Sequence, residues 1–182
     1  MKKMSAQNKT LKIAKVSMLV AISVVLVYLV HFPIFPPVPF LEYDPADIPI
    51  FIGTFAFGPL AGIMLVVVTA VVQGVTVSAA SGIYGIIMHI LATGSFVLVA
   101  GNIYRGQKSR KKAVIALAAG VATWTGVMVI ANLIVTPLFM GVPVSVVKGL
   151  LPYIIGFNLI KAGANSIVTF FLYKRISAFL HK

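Results

Sequence analysis

"KAVIALAAGVATWTGVMVIANLIV", Lys112–Val135, carries one charge, at its first residue. At ~1.5 Å rise per residue such a helix would be about 36 Å long, enough to cross a hydrocarbon core of ~30 Å. "IAKVSMLVAISVVLVYLV", Ile13–Val30, reads the same way. Neither run alternates between apolar and polar positions, so both predict helices rather than barrel strands. The whole 182-residue chain is 60% hydrophobic and 10% charged, with a mean hydropathy of +1.06. A soluble domain carries roughly a quarter charged residues, so there is too little polar surface here to cover a water-facing exterior. The composition predicts an all-α integral membrane protein, with residues 1–182 forming a single membrane domain.

Charge position sets the expected topology. The net charge is +12, but the cations flank apolar runs, where they read as orientation signals and contacts to the lipid bilayer rather than as a nucleic-acid surface. Lys2, Lys3, Lys9, Lys12 and Lys15 form one cluster, with residues 1–12 as the basic N-terminus. Residues 105–112 form a second, through Arg105, Lys108, Arg110, Lys111 and Lys112, and Lys174, Arg175 and Lys182 a third. The positive-inside rule places all three in the cytoplasm, which requires an even number of spans between clusters. Residues 113–173 divide into spans at Ala113 to about Thr136 and about Leu151 to Tyr173. "PLFMGVPVSVVKG" joins them outside. Pro and Gly punctuation divides residues 16–104 into four: one to about Val30, a short one near Ile48–Phe57, one near Leu60–Val77 and one near Tyr84–Tyr104. The expectation is a six-helix bundle in the cell membrane with both termini cytoplasmic. The first run is read as a retained span, since no small-x-small cleavage pattern follows it.

All three acidic residues, Glu42, Asp44 and Asp47, lie in "FLEYDPADIP", Phe40–Pro49. The segment 32–47 falls in the first extracellular loop and is proline-rich. Pro33, Pro36, Pro37, Pro39, Pro45 and Pro49 punctuate the region. Proline fixes φ and biases its predecessor toward extended structure, so a stiff, non-helical lid is expected. Asp44 and Asp47 are read equally as contacts or as charge asymmetry, Asp47 also as the N-cap of the second span. Glu42 and Tyr43, at the loop centre, are the preferred contacts.

A polar side chain inside a span is a functional hypothesis. Asn158, Lys161 and Asn165 fall at i, i+3 and i+7 of the last span, on one stripe of a helix. Lys161 lies ~15 Å from the outer start at ~1.5 Å per residue, beyond easy snorkelling. Asn132 adds a polar group on span five. Together they predict a cavity in the outer half of the bundle, beneath the loop. Interhelical hydrogen bonding is the competing reading for Asn132 and Asn165. Trp124 has the choice between stacking on an aromatic ligand and packing. Gln73 and His89 are expected to pack rather than face the cavity. Small-residue pairs at Ser17/Ala21, Gly58/Gly62 and Ala116/Gly120 permit close helix approach. With no Cys, there are no disulfides or thiolate sites. No metal-ligand spacing, phosphate loop or intramembrane acid–base pair appears, so neither a metal site nor catalytic residues are expected.

"FLEYDPADIP", "FGPLAG" and "GFNLIKAG" together resemble the riboflavin-binding (RibU-type) S components of energy-coupling factor (ECF) transporters, over essentially the whole chain. The resemblance implies a non-enzymatic, bacterial, substrate-binding subunit in the plasma membrane. It would capture riboflavin as cargo, with no cofactor, and work with a membrane coupling protein and two ABC-type ATPases. It further implies that Asn158 and Lys161 hydrogen-bond the flavin and its ribityl chain, Asn132 joining them, with Leu41, Glu42 and Tyr43 contributing from the loop. Members often carry an Ala-xxx-Ala pair on span one that docks on the coupling protein; Ser17 and Ala21 occupy those positions. The residues independently suit a flavin, because an amide both donates and accepts, as a pyrimidinedione edge does. Three alternatives stay open: an S component for another vitamin, an autonomous ion-coupled carrier, and a structural membrane subunit. A carrier coupled to protons would want a membrane-embedded carboxylate, and the sequence shows none.

Overall fold

The computed structural model describes residues 6–180; the predicted basic residues Lys2, Lys3 and Lys182 lie outside them. Six α-helices run α1 (Ala6–Leu29), α2 (Asp47–Phe57), α3 (Pro59–Val75), α4 (Gly82–Gly106), α5 (Arg110–Met140) and α6 (Val144–Leu180). Four of these, α1, α4, α5 and α6, are long and apolar enough to cross a membrane; α2 and α3 are shorter.

The short α2 is explained by its surroundings. It touches α1, α3, α4 and α6, and its residues Asp47 through Ala56 are all buried. A helix enclosed by protein need not match the bilayer thickness, because its ends meet other helices rather than lipid. Phe51 anchors it, stacking on Phe96 of α4 with ring centroids 3.8 Å apart, while Trp124 of α5 stands edge-on at 6.4 Å. Such paired rings add to the area they bury. Gly120 lets α5 approach this stack, since a Cβ there would sit 2.7 Å from the Phe96 ring.

The turns follow their sequence punctuation. Gly58 has φ +92°, which only glycine adopts readily, and Pro59 begins α3 where its missing N–H costs nothing. Thus Gly58 of the predicted Gly58/Gly62 pair serves the turn, while Gly62 faces Thr54 and Val97 closely. A 3-10 turn at Ala79–Ser81 breaks α3 from α4. Between α5 and α6 the sequence expectation is corrected. The helix continues through Pro137 to Met140, and the connection shrinks to Gly141–Pro143, with Gly141 at φ +66°. Proline near a helix end breaks only one bond, and Gly141 caps the chain by donating its N–H to the Pro137 carbonyl.

The segment between α1 and α2 is non-helical. Two short strands, β1 (Phe32–Pro33) and β2 (Glu42–Tyr43), pair antiparallel, Phe32 opposite Tyr43 and Pro33 opposite Glu42. The loop then lays Val38 and Leu41 against Val147, Ile154 and Phe157 of α6 in a separate apolar cluster. Ser17 and Ala21 lie exposed on α1.

Candidate ligand-binding site

Beneath the loop the helices leave a cavity of about 140 Å3, walled by α1, α3, α4, α5, α6 and the loop itself. Its α5–α6 wall carries Trp124, Met128, Phe157, Asn158 and Lys161. The Trp124 Nε1–H donates to Asn158 Oδ1 at 2.7 Å, and Asn158 Nδ2 donates to the Ile154 carbonyl at 2.7 Å. One amide proton and one oxygen lone pair of Asn158 remain for a ligand. Trp124 therefore orients the asparagine and lines the cavity, while its ring packs edge-on against Phe51 and Phe96.

Lys161 reaches from α6 to the loop. Its ammonium lies 2.6 Å from Asp44 Oδ2, donates to the Glu42 carbonyl at 3.2 Å, and rests 5.9 Å from the Phe157 ring centroid. One turn on, Asn165 donates from Nδ2 to the Asp44 carbonyl and to Asp47 Oδ2, and accepts from the Tyr43 hydroxyl. Thr93 of α4 donates to Asp47 Oδ1 at 2.8 Å. The stripe Asn158, Lys161, Asn165 thus does face inward, and two of its members hold the loop down.

This arrangement changes which acid matters. Both acids line the cavity: Asp44, 3% exposed, pairs with Lys161 through its carboxylate, while the exposed Glu42 accepts from the same ammonium through its backbone carbonyl. Asp44 lies just beyond β2, where its Oδ1 also accepts the Ala46 N–H at 3.0 Å and so keeps the carboxylate turned inward. Burial pushes the Asp44 carboxyl up, but the Lys161 charge and hydrogen bond outweigh it and hold the group below its ordinary value of 3.8. Burial, followed by the Asp44 charge, raises the Tyr43 hydroxyl above 10.0. Asp47 is not an N-cap: Ala46 holds that position with helical backbone, and Asp47 turns its fully buried carboxylate to Thr93 and Asn165. The expectation of no buried carboxylate is likewise corrected, since Asp44 and Asp47 are drawn inside by partners far away in sequence.

Leu41 lines the cavity at the loop. Tyr43, Asp47 and Asn165 form the network behind it. Asn132 is placed elsewhere: its Nδ2 donates to the Met128 carbonyl and its Oδ1 accepts from Thr136, both at 2.8 Å along α5. It supports Met128 from one turn away. Gln73 and His89, expected to pack, instead line the opposite wall. Their mid-span polarity was the signal that could have found them. Among the described residues, no group of three or more His, Cys, Asp or Glu could hold a metal ion.

Comparison with known proteins agrees with this architecture. A family described as "ECF transporter, substrate-specific component" matches residues 11–173. The chain is 33% identical to the riboflavin transporter RibU of Staphylococcus aureus (strain TCH60), the alignment covering 97% of this chain and 94% of that one. It is 28% identical to the riboflavin transporter FmnP of Bacillus subtilis (strain 168), covering 96% of each. A solved S component of a bacterial ECF transporter superposes with a TM-score of 0.80 at 35% identity, over 97% of this chain and 99% of that one. With that family matched over residues 11–173 and a relative 33% identical along 97% of the chain, the membership is plain: the chain belongs to the substrate-specific S components of ECF transporters.

Proposed function

We propose that this S component captures riboflavin from outside the cell in the cavity beneath the α1–α2 loop. The observation that carries the reading is the convergence of Trp124, Asn158 and Lys161 on one cavity closed by a loop latched at Asp44. The likeness to two riboflavin transporters supports the choice of ligand. The cavity is bounded by Phe40, Leu41, Trp124, Met128 and Phe157. Its apolar walls suit a flat ring system, and the Asn158 amide suits the ring's pyrimidinedione edge.

All six helices cross the bilayer in this reading, α2 and α3 as short inner spans, and both termini are cytoplasmic. Support comes from the basic α4–α5 connection, which stands at the end of the bundle opposite the acidic loop. Segment 32–47 acts as the lid. Transport energy comes from a coupling protein and two ATPases, with exposed Ser17 and Ala21 on α1 as the docking face. The protein sits in the plasma membrane of a bacterium.

The test is direct. Purified protein should carry or take up riboflavin, quenching flavin fluorescence in a one-to-one titration, and uptake by cells should require co-expressed ATPases. A folded protein that quenches no flavin would remove riboflavin from the reading, and uptake without ATPases would remove the subunit role.

A further inference from the structure

A second cavity, of about 370 Å3, lies at the other end of the bundle from the loop. The buried helix α2 measures the distance between the two levels. Asp47 at its start accepts from Thr93 of α4, while Phe55 near its end stacks on Tyr104 of α4 with ring centroids 4.3 Å apart. Thr93 and Tyr104 are separated by about 16 Å of helix at ~1.5 Å rise per residue. Phe55 and Tyr104 line the second cavity, which extends from them to the α4–α5 connection and the end of α6.

The cavity has a cationic rim and an apolar side. Lys108 and Arg110 border it at the α4–α5 connection, and Lys174 borders it from α6. All three acidic side chains of the chain lie within residues 42–47, at the level of the loop, so none stands at this end. The positive-inside rule accounts for cations along this connection, but not for their gathering around a cavity from two helices. The start of α5 adds to the imbalance. Its first turn carries Arg110, Lys111 and Lys112 and no acid, where the helix dipole is already positive. An anion seated at the rim relieves that repulsion.

The apolar side indicates what kind of anion. Phe170 and Phe171 line the cavity. Phe171 is 68% exposed, and Ile167, one turn earlier on α6, is 60% exposed. On a helix long and apolar enough to cross a membrane, such a face lies against acyl chains. The cations therefore border a cavity that is continuous with the lipid-facing surface of α6. Free phosphate would use the cations alone, and an acidic protein segment would leave Phe171 and Ile167 without an apolar partner. A negatively charged phospholipid matches both halves, as basic pockets between membrane helices do for anionic headgroups.

We infer that this cavity binds one anionic phospholipid, its phosphate held by Lys108 and Arg110 with Lys174 approaching from α6, and an acyl chain laid along Phe171 and Ile167. The site is separate from the cavity beneath the loop and does not depend on the ligand taken there. The proposed orientation of the bundle decides only which leaflet supplies the lipid.

The experiment titrates full-length protein in a neutral detergent with phosphatidylglycerol or with phosphatidylcholine of the same chain length. Native mass spectrometry counts the lipid retained, and thermal melting is followed in parallel. The parent should retain one phosphatidylglycerol, about 10-fold more tightly than phosphatidylcholine, and melt higher with it. Lys108→Gln with Arg110→Gln should weaken phosphatidylglycerol binding by about 10- to 30-fold and remove the rise in melting temperature. Lys111→Gln with Arg175→Gln removes the same charge from residues outside the cavity lining and should change the affinity by less than about threefold. Equal retention of the two lipids by the parent, or an equal loss in the two double variants, overturns the assignment. An equal rise in melting temperature with inorganic phosphate also overturns it and makes the cavity a free-anion site. Indifference of the parent to lipid, together with loss of assembly with the ATPase module in the Lys108/Arg110 variant, overturns it in favour of a protein partner. The lipid preference of the parent needs no substitution, so it decides the question even where a variant fails to fold.

Discussion

The latch between Lys161 and Asp44 can be measured as a coupling energy. The two charges stand 2.6 Å apart with side chains 12% and 4% exposed. At an effective dielectric of ~20, their attraction is about 6 kcal/mol, much of it offset by removing both groups from water. The pair as a whole therefore adds little, yet deleting one partner strands the other at a cost of about 3–5 kcal/mol. Lys161→Met leaves a buried carboxylate and Asp44→Asn leaves a buried ammonium; the double variant leaves neither. Each single change should loosen the loop by ~3 kcal/mol, or about 100-fold in riboflavin dissociation rate if the whole loss falls on opening. The double variant should recover most of that, giving a coupling above ~2 kcal/mol. Dissociation is followed by recovery of flavin fluorescence on dilution, and loop opening in ligand-free protein by hydrogen exchange across residues 38–46. Strictly additive effects, with coupling below ~0.5 kcal/mol, would show that the loop closes through its apolar contacts to α6 and the Asn165 hydrogen bonds, without the ion pair.

Four further outcomes are expected. Trp124→Phe keeps an aromatic ring beside Phe51 and Phe96 but loses the bond that orients Asn158, so riboflavin affinity should fall about 5- to 10-fold with little change in melting temperature. Gly120→Ala drives a Cβ to within 2.7 Å of the Phe96 ring and should lower stability by about 1–3 kcal/mol in thermal unfolding. The Asp44 carboxyl lies below its ordinary 3.8, so its contribution is present above that value and lost only as pH falls through the lower, folded one. Riboflavin dissociation should accordingly be flat between about pH 5 and 8 and accelerate below about pH 4, as stopped-flow fluorescence would show. Ser17→Trp and Ala21→Trp alter residues exposed on α1; cellular uptake should collapse while binding to purified protein stays within about twofold, as expected of a close-packed docking face.

Much of the bundle was readable in advance because its signals are local. Apolar runs bounded by Gly58-Pro59, the "SAASG" break and the basic 105–112 segment fall within a few residues of the helix ends observed. The Asn158–Lys161–Asn165 stripe follows from helical periodicity alone, and its inward direction from the cost of polar groups in lipid. The α5–α6 connection is shorter than Pro137 suggests, because a proline near a helix end is tolerated.

Sequence alone determined that this chain is a helical membrane protein, where its helices lie and which stripe of α6 faces inward, because each depends on hydropathy and spacing within one segment. Tertiary structure decided which carboxylate meets Lys161, that Asn132 bonds along its own helix, and that Gln73 and His89 line the cavity. Those outcomes depend on contacts between distant parts of the chain, some more than a hundred positions apart, such as Asp44 with Lys161. A hydrogen-bond partner is a property of the folded surroundings, and no window of neighbouring residues contains it.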